Sequence, residues 1–411
     1  LKRSALLIVL SMVFLEWLDF TLYLYLAKSI FAKEFFPNSA YSLTLTFALF
    51  AAAYLARPLG GWLFGSEADK NGRRKPLVFS SALMGLATIG ISLLPGYNVL
   101  GIYSTWILLF LRLIQGLALG GEINTSGMFM VEHHTQKPLW AGSLVAVSGA
   151  LGMFLGGTIA ALLQSSSISI LWRLVFALVG IISLYVCRLR KKLKESPEFL
   201  QAQSHKSTIP WTKYWPGLIN IAITGAFVSV SVYICNIFWV SFAIDQKLWS
   251  SVQCSWAGSL AQCGSAILAL FFAFFTSPTK CKKLFQGGMI IISLAAPALF
   301  YFTAIQSTIG VIFSLGGYVL CNSLICSSLF YFLYLQLPAQ YRCRGVSTIY
   351  ALSATLGAIL LPICQQIAST KSFFWLPAGF VSLVAIISWV VVQINKQQPE
   401  KFEHSALAQF N

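Results

Sequence analysis

Twelve stretches long enough to cross a bilayer, each of about 20 mostly apolar residues, follow one another through this chain. They lie at 5–28, 41–65, 76–95, 100–126, 139–164, 171–188, 213–241, 252–276, 284–304, 309–336, 345–368 and 373–393. Lipid offers no partner to an open backbone N–H or C=O, so such stretches resolve as transmembrane α-helices. Composition agrees. Of 411 residues only 10% are charged, against about 25% in a soluble domain, and the mean hydropathy is +0.76. The expected fold class is an all-α membrane protein of twelve transmembrane helices. Lys2-Arg3 followed by Ser4 to Phe14 imitates a signal peptide, but no small-residue cleavage site follows, and Glu16 to Asp19 continue the same helix. The chain opens on Leu1 rather than Met, so a few residues are expected to precede it.

One long polar interruption, 189–212, holds Arg190, Lys191, Lys192, Lys194, Glu195, Lys206 and Pro210. It gives the expected domain plan: a six-helix bundle over 1–188, a charged cytoplasmic linker over 189–212, a second six-helix bundle over 213–393 and a cytoplasmic tail over 394–411. Two similar halves suggest a carrier built from repeats, with its site between them. Lys2, Arg3, Lys70, Arg73, Arg74, Lys75, Lys137, the run from Arg188 to Lys213, Lys280, Lys282, Lys283, Arg342, Arg344, Lys396 and Lys401 fall on one side of the helix map. The other side holds Lys28, Lys33, Arg173, Lys247 and Lys371. Basic residues are retained in the cytoplasm, which places both termini there. The net charge of +16 reports the same bias rather than a nucleic-acid partner. All nine cysteines lie at or after Cys187, without CxxC spacing or a His nearby; they read as small core residues, and no metal or cofactor is expected.

Charged side chains inside such helices are costly and mark transport pathways. Arg112 stands within the apolar stretch Trp106 to Ala118, and Glu16 and Asp19 within Leu6 to Ala27. Arg112 reads as the only cation deep in the membrane away from a helix end. Glu16 and Asp19, three residues apart, share a helix face. Burial raises a carboxyl pKa and a nearby cation lowers it, so a carboxyl whose partner comes and goes can load and release a proton. The expected proton-coupling residues are Asp19, Glu16 and Glu122; the alternative is a static buried ion pair that fixes helix packing. Glu122, about 15 Å of helix rise from Arg112, either relays a proton or pairs with Arg73 or Arg74. Arg112 is expected to take the substrate's anionic group, with Gln115 one turn away and Tyr23 on the first helix. The second half has almost no deep charge, and Asp245 with Lys247 reads as a solvated pair at an external helix end. Its expected substrate contacts are Tyr233, Asn236, Trp239 and Asn322; packing or an interface belt is the alternative for such residues. His133, His134, His205 and His404 all fall in a loop, the linker or the tail. No nucleophile, base and orienting group cluster together, so the chain is not expected to be an enzyme.

Between the second and third helices runs Arg57-Pro58-Leu59-Gly60-Gly61, then Gly65-Ser66-Glu67-Ala68-Asp69-Lys70-Asn71-Gly72-Arg73-Arg74-Lys75. The glycines allow close helix contact, Gly72 permits a tight turn, and Asp69 can pair with guanidinium groups or cap a facing helix. This segment resembles the signature loop of the major facilitator superfamily. Leu15-Glu16-Trp17-Leu18-Asp19, Phe35-Phe36-Pro37, Arg112-Leu113-Ile114-Gln115-Gly116, Gly120-Gly121-Glu122, Glu195-Ser196-Pro197-Glu198-Phe199 and Arg342-Cys343-Arg344-Gly345 narrow the resemblance to its metabolite:proton symporter family. That family carries solutes such as proline and betaine, shikimate and 2-oxoglutarate. The resemblance implies a cytoplasmic gate made by Gly65, Asp69, Gly72, Arg73, Arg74, Glu132, Arg342 and Arg344.

The chain departs from the family at Met12-Val13, at Trp140-Ala141-Gly142 and in the eroded second-half loop Ser277 to Lys283, which has neither acid nor Gly. These departures bear on substrate identity and on second-half gate contacts. The glycines of the fifth helix read as close packing.

The expected function is secondary active transport: proton-coupled import of a small organic metabolite by alternating access, by a monomer in the inner (plasma) membrane, with lipid around it and no nucleic acid. A single deep cation leaves di- and tricarboxylates uncompensated, which favours a monocarboxylate or a zwitterion such as an amino acid or betaine. An aromatic cavity would also suit a quaternary ammonium. The rival readings are a proton-coupled exporter of amphiphilic compounds and a non-transporting sensor on the same fold.

Overall fold

The computed structural model describes residues 3–36, 41–165, 170–202, 211–368 and 375–395. Among them twelve helices are long and apolar enough to cross a membrane. We number these α1 (Arg3–Tyr25), α2 (Ser42–Asn71), α3 (Arg74–Leu93), α4 (Ile102–His133), α5 (Pro138–Ser165), α6 (Leu171–Arg190), α7 (Thr212–Asp245), α8 (Ser251–Phe275), α9 (Cys281–Ala304), α10 (Thr308–Tyr334), α11 (Arg342–Ala368) and α12 (Leu376–Ile394). The tail from 396, linker residues 203–210 with His205, Lys206 and Pro210, and also Pro37, Lys371 and His404, lie outside the described residues.

Two helices outrun their apolar stretches. α2 continues to Asn71 and α4 to His133. The turns added include the acids Asp69 and Glu132, yet both are almost wholly buried by neighbouring elements at this end. Packing therefore extends the helices where hydropathy ends. One expectation changes: Glu132 and His133 stand in the last turn of α4, not in a loop.

α1 and α7 share a second departure from regularity. Past Tyr25 the first helix passes through a π turn, Ala27–Phe31, and α7 contains another, Tyr233–Phe238. Such turns place an extra residue in the helix and recur at functional sites.

α2 packs along both α4 and α11, and α5 along α1, α8 and α10; α3 lies on α6, α7 on α11, and α9 between α10 and α12. The α2 contacts run backbone to backbone. A Cβ at Gly60 would lie 2.0 Å from the Leu117 carbonyl oxygen of α4, and one at Gly61 2.6 Å from that of Ser347 in α11. Leu86, Phe110, Ile181, Phe271, Leu294 and Phe313 point outward and are exposed, as befits surfaces that face lipid.

Candidate functional site

Four deep polar side chains from three helices form one chain of hydrogen bonds. Arg112 of α4 donates through Nη1 to Gln115 Oε1 at 2.8 Å, and Gln115 Nε2 donates to Asp19 Oδ2 of α1 at 2.6 Å. Thr88 of α3 donates to the same oxygen at 3.3 Å. All four residues are buried. The Arg112 guanidinium lies 3.5 Å from the Tyr23 ring centroid, and its Nε and Nη2 have no hydrogen-bond partner. Asp19 Oδ1 is likewise unpartnered. The expected pairing of Arg112 with Asp19 is thus indirect, bridged by the amide one turn along α4. Tyr23 donates to the Thr46 carbonyl at 2.9 Å.

Glu16, one turn before Asp19, is wholly buried and neither of its carboxylate oxygens has a partner. Glu122 differs. It pairs with Arg190 at 2.6 Å and accepts from Ser80 and Ser126 at 2.5 and 3.0 Å. Arg190 also donates to the carbonyls of Leu77 and Val9. Of the two readings of Glu122, proton relay or a pair with Arg73 or Arg74, the second is replaced by a pair with Arg190. Arg190, counted on hydropathy as the start of the linker, is instead the last residue of α6 and turns inward.

A cavity of about 80 Å³ lies on the seam between α1–α6 and α7–α12. Of the residues expected to contact substrate, Tyr233 and Asn322 line it. Arg112, Gln115, Tyr23, Asn236 and Trp239 do not. Trp239 donates to Thr303 at 2.9 Å, and Asn236 accepts from Tyr25 at 2.9 Å while donating to the Gly258 carbonyl. Both tie α7 to its neighbours. The charged side chain in the lining is Arg57 of α2. It is 5% exposed, so Arg112 is not the only cation buried midway along a helix. Depth is legible in a sequence, but the direction a side chain faces around its helix is not.

The basic end is closed by an ionic network. Asp69 accepts from the backbone N–H groups of Cys343 and Arg344, at 3.2 and 2.9 Å, and so caps α11 from across the seam. It also pairs with Arg73 at 3.3 Å. Glu132 joins Arg73 at 3.1 Å and Arg342 at 3.0 Å, and Ser196 donates to its other oxygen at 2.5 Å. Burial raises a carboxyl pKa, and facing cations offset that cost; Glu132 has two. Gly65 packs against α11, where a Cβ would lie 2.7 Å from Arg344 Cα, and Gly72 turns the chain at φ 99°. Arg74 is the exception among the expected gate residues: its side chain is exposed and it contributes only a backbone N–H.

Two acceptors, Glu195 and Glu198, and one donor, Ser196, were outside the expected gate set. Glu195 receives the N–H groups of Arg73 and Arg74 at 2.8 and 3.2 Å, capping the start of α3. Glu198 pairs with Arg342 at 2.9 Å and accepts from Tyr334 at 2.6 Å. Ser196 holds Glu132. All belong to Glu195-Ser196-Pro197-Glu198-Phe199, so the signal was the motif itself, read as a family mark rather than as chemistry.

The opposite end is closed too. Lys28 pairs with Asp245, and Tyr25 bonds Asn236, both joining the first helix to α7 beside the two π turns. Asp245 therefore has Lys28 as its partner rather than Lys247. Contacts between the two sets of helices thus bridge the seam at both ends.

Residues 5–209 match the family model described as "Sugar (and other) transporter". The chain is 29% identical, over 423 residues, to the alpha-ketoglutarate permease of Escherichia coli (strain K12), covering 92% of this chain and 89% of that one. It is 27% identical over 404 residues to a putative proline/betaine transporter of Staphylococcus aureus (strain COL), covering 92% and 84%. Its fold is similar to that of the xylose transporter XylE from E. coli in a partially occluded inward open conformation, with a TM-score of 0.74 at 15% identity over 95% and 98% of the two chains.

Proposed function

We propose that the chain, similar over residues 5–209 to the sugar and other transporters and along most of its length to metabolite permeases, is a multi-pass transporter of the major facilitator superfamily that imports a small organic metabolite together with protons. The halves 1–188 and 213–393 rock about the central cavity, joined by 189–212, with 394–411 as a tail. The basic end faces the cytoplasm, in an inner (plasma) membrane, and the unit is a monomer.

The observation that carries the coupling assignment is the buried chain Arg112–Gln115–Asp19–Thr88, whose acid and base are bridged rather than fused. An amide bridge can break without separating a direct ion pair, so Arg112 can leave Asp19 as the halves move. A lone carboxylate in a low-dielectric interior is costly. Proton uptake removes that cost and lets the empty or loaded carrier pass through its closed form. Glu16, with no hydrogen-bond partner, is a second buried carboxyl on the same face of α1 for a proton to reach. Glu122 is already matched by Arg190, which suits a structural tie among α1, α3, α4 and α6. The gate is the network of Gly65, Asp69, Gly72, Arg73, Glu132, Arg342 and Arg344, with Glu195 and Glu198.

The test is Asp19→Asn in proteoliposomes. The variant should fail to accumulate substrate when a pH gradient is imposed, yet retain exchange when none is present. Accumulation at the wild-type level would remove Asp19 from the coupling role.

A further inference from the structure

We propose that Arg57 is the anchor for the substrate's negative charge, and that the cavity's ligand is a small monocarboxylate with an apolar, aromatic or branched body. This rests on the transport reading above and names the ligand class for the same cavity.

Arg57 stands at the middle of α2, which runs from Ser42 to Asn71. Its side chain lines the cavity, while its Nε and Nη2 have no hydrogen-bond partner. The guanidinium carbon sits 3.4 Å from the Tyr54 ring centroid and 5.2 Å from that of Phe20. Stacking of this kind fixes the plane of the fork and leaves its N–H edge free for a planar anion. The backbone beneath is also fixed. A Cβ at Gly120 of α4 would lie 2.1 Å from the Arg57 carbonyl oxygen, so the two helices touch there without side chains between them. A buried cation with unused donors is costly unless a ligand completes it. Arg112, by contrast, is outside the lining and already engaged with Gln115.

Charge counting selects the class. Among the lining residues Arg57 is the one charged side chain, and none is acidic. A second carboxylate on the ligand would face no cation, and an ammonium would face no acid. The rest of the lining includes Trp17, Tyr233, Phe330 and Tyr350 together with aliphatic side chains. The two amides present, Gln262 and Asn322, are hydrogen-bonded to each other at 3.1 Å, and Gln262 also donates to Tyr318 at 2.8 Å. They leave little unmet polarity for a ligand's far end. An apolar body is what this wall accommodates.

The experiment measures counterflow and ligand-dependent thermal stabilisation of the reconstituted full chain with phenylacetate, isovalerate, their primary amides, proline, betaine and succinate. The acids should bind and exchange, with each matching amide weaker by about tenfold or more, since a charge-assisted bidentate contact becomes a neutral one. Arg57→Lys should lose affinity for the acids by about tenfold, and Arg57→Gln should lose it altogether. The acid–amide comparison uses wild-type protein, so it decides the matter even if Arg57→Gln fails to fold. Proline, betaine or succinate binding as tightly as the acids would overturn the ligand class. Acid binding unchanged in Arg57→Gln would overturn the anchor while leaving the transport reading standing. Absence of counterflow by every compound would overturn both.

Discussion

Asparagine in place of Asp69 keeps the side chain's shape and one acceptor but removes its charge. In the closed form that charge meets the N–H groups of Cys343 and Arg344, at 3.2 and 2.9 Å, and Arg73 at 3.3 Å. The Arg73 contact lies within one turn at the end of α2 and survives when the basic end opens. The cap on α11 does not. Asparagine can still cap through one oxygen, but Cys343 and Arg344 use different oxygens of Asp69, so the closed form loses one acceptor and, beyond it, the attraction between a carboxylate and the helix dipole. In a partly buried setting that is worth about 1 to 2 kcal/mol, or about five- to thirty-fold in the ratio of closed to open. Asp69→Ala forfeits the acceptor as well and should add about 1 kcal/mol. The assay is maleimide labelling of a cysteine placed at Ala354, in the cavity wall, on a background lacking the native cysteines. Cys343→Ser preserves the backbone donor. Labelling from the basic side should quicken by the stated factor for Asp69→Asn and further for Asp69→Ala. Equal rates in all three proteins would refute the cap as a gate and reduce Asp69 to a topological anchor.

Three further outcomes follow from the same geometry. Arg112→Lys keeps charge over Tyr23 but loses the fork that reaches Gln115, so uptake should fall by about tenfold or more with folding unchanged by size-exclusion chromatography; near wild-type uptake contradicts a role for the bridge. Glu122→Gln leaves Arg190 buried without its acid, a loss of about 3 to 5 kcal/mol, visible as a lower melting temperature. Adding Arg190→Gln should recover much of it, and no recovery would argue against a structural pair. Gly61→Ala forces a Cβ to 2.6 Å from the Ser347 carbonyl oxygen, so overpacking of about 1 to 3 kcal/mol should favour the open basic end in the labelling assay.

Helix number and approximate span were legible because lipid enforces a simple rule on apolar length. The residues that make the deep cluster, Asp19, Arg112 and Gln115, were legible because polar groups stand out against such a background. Partners were harder. Arg190 pairs with Glu122 across 68 positions and Arg342 with Glu132 across 210, and nothing local in the sequence marks either pairing. Arg57 was overlooked for a different reason. It sits before Pro58 at the head of a recognisable loop motif, where a basic residue reads as the edge of a helix, yet α2 runs straight through both. Pro58 lacks an N–H, and the helix tolerates this because neighbours on two sides hold it.

The linker segment Glu195 to Phe199 has a consequence for how the gene can vary. Glu195 caps α3, Ser196 holds Glu132, and Glu198 grips Arg342, so these positions belong to the lock although they lie between the two sets of helices. A split into two separately encoded polypeptides before Glu195 would therefore hand the second a part that the first needs to shut.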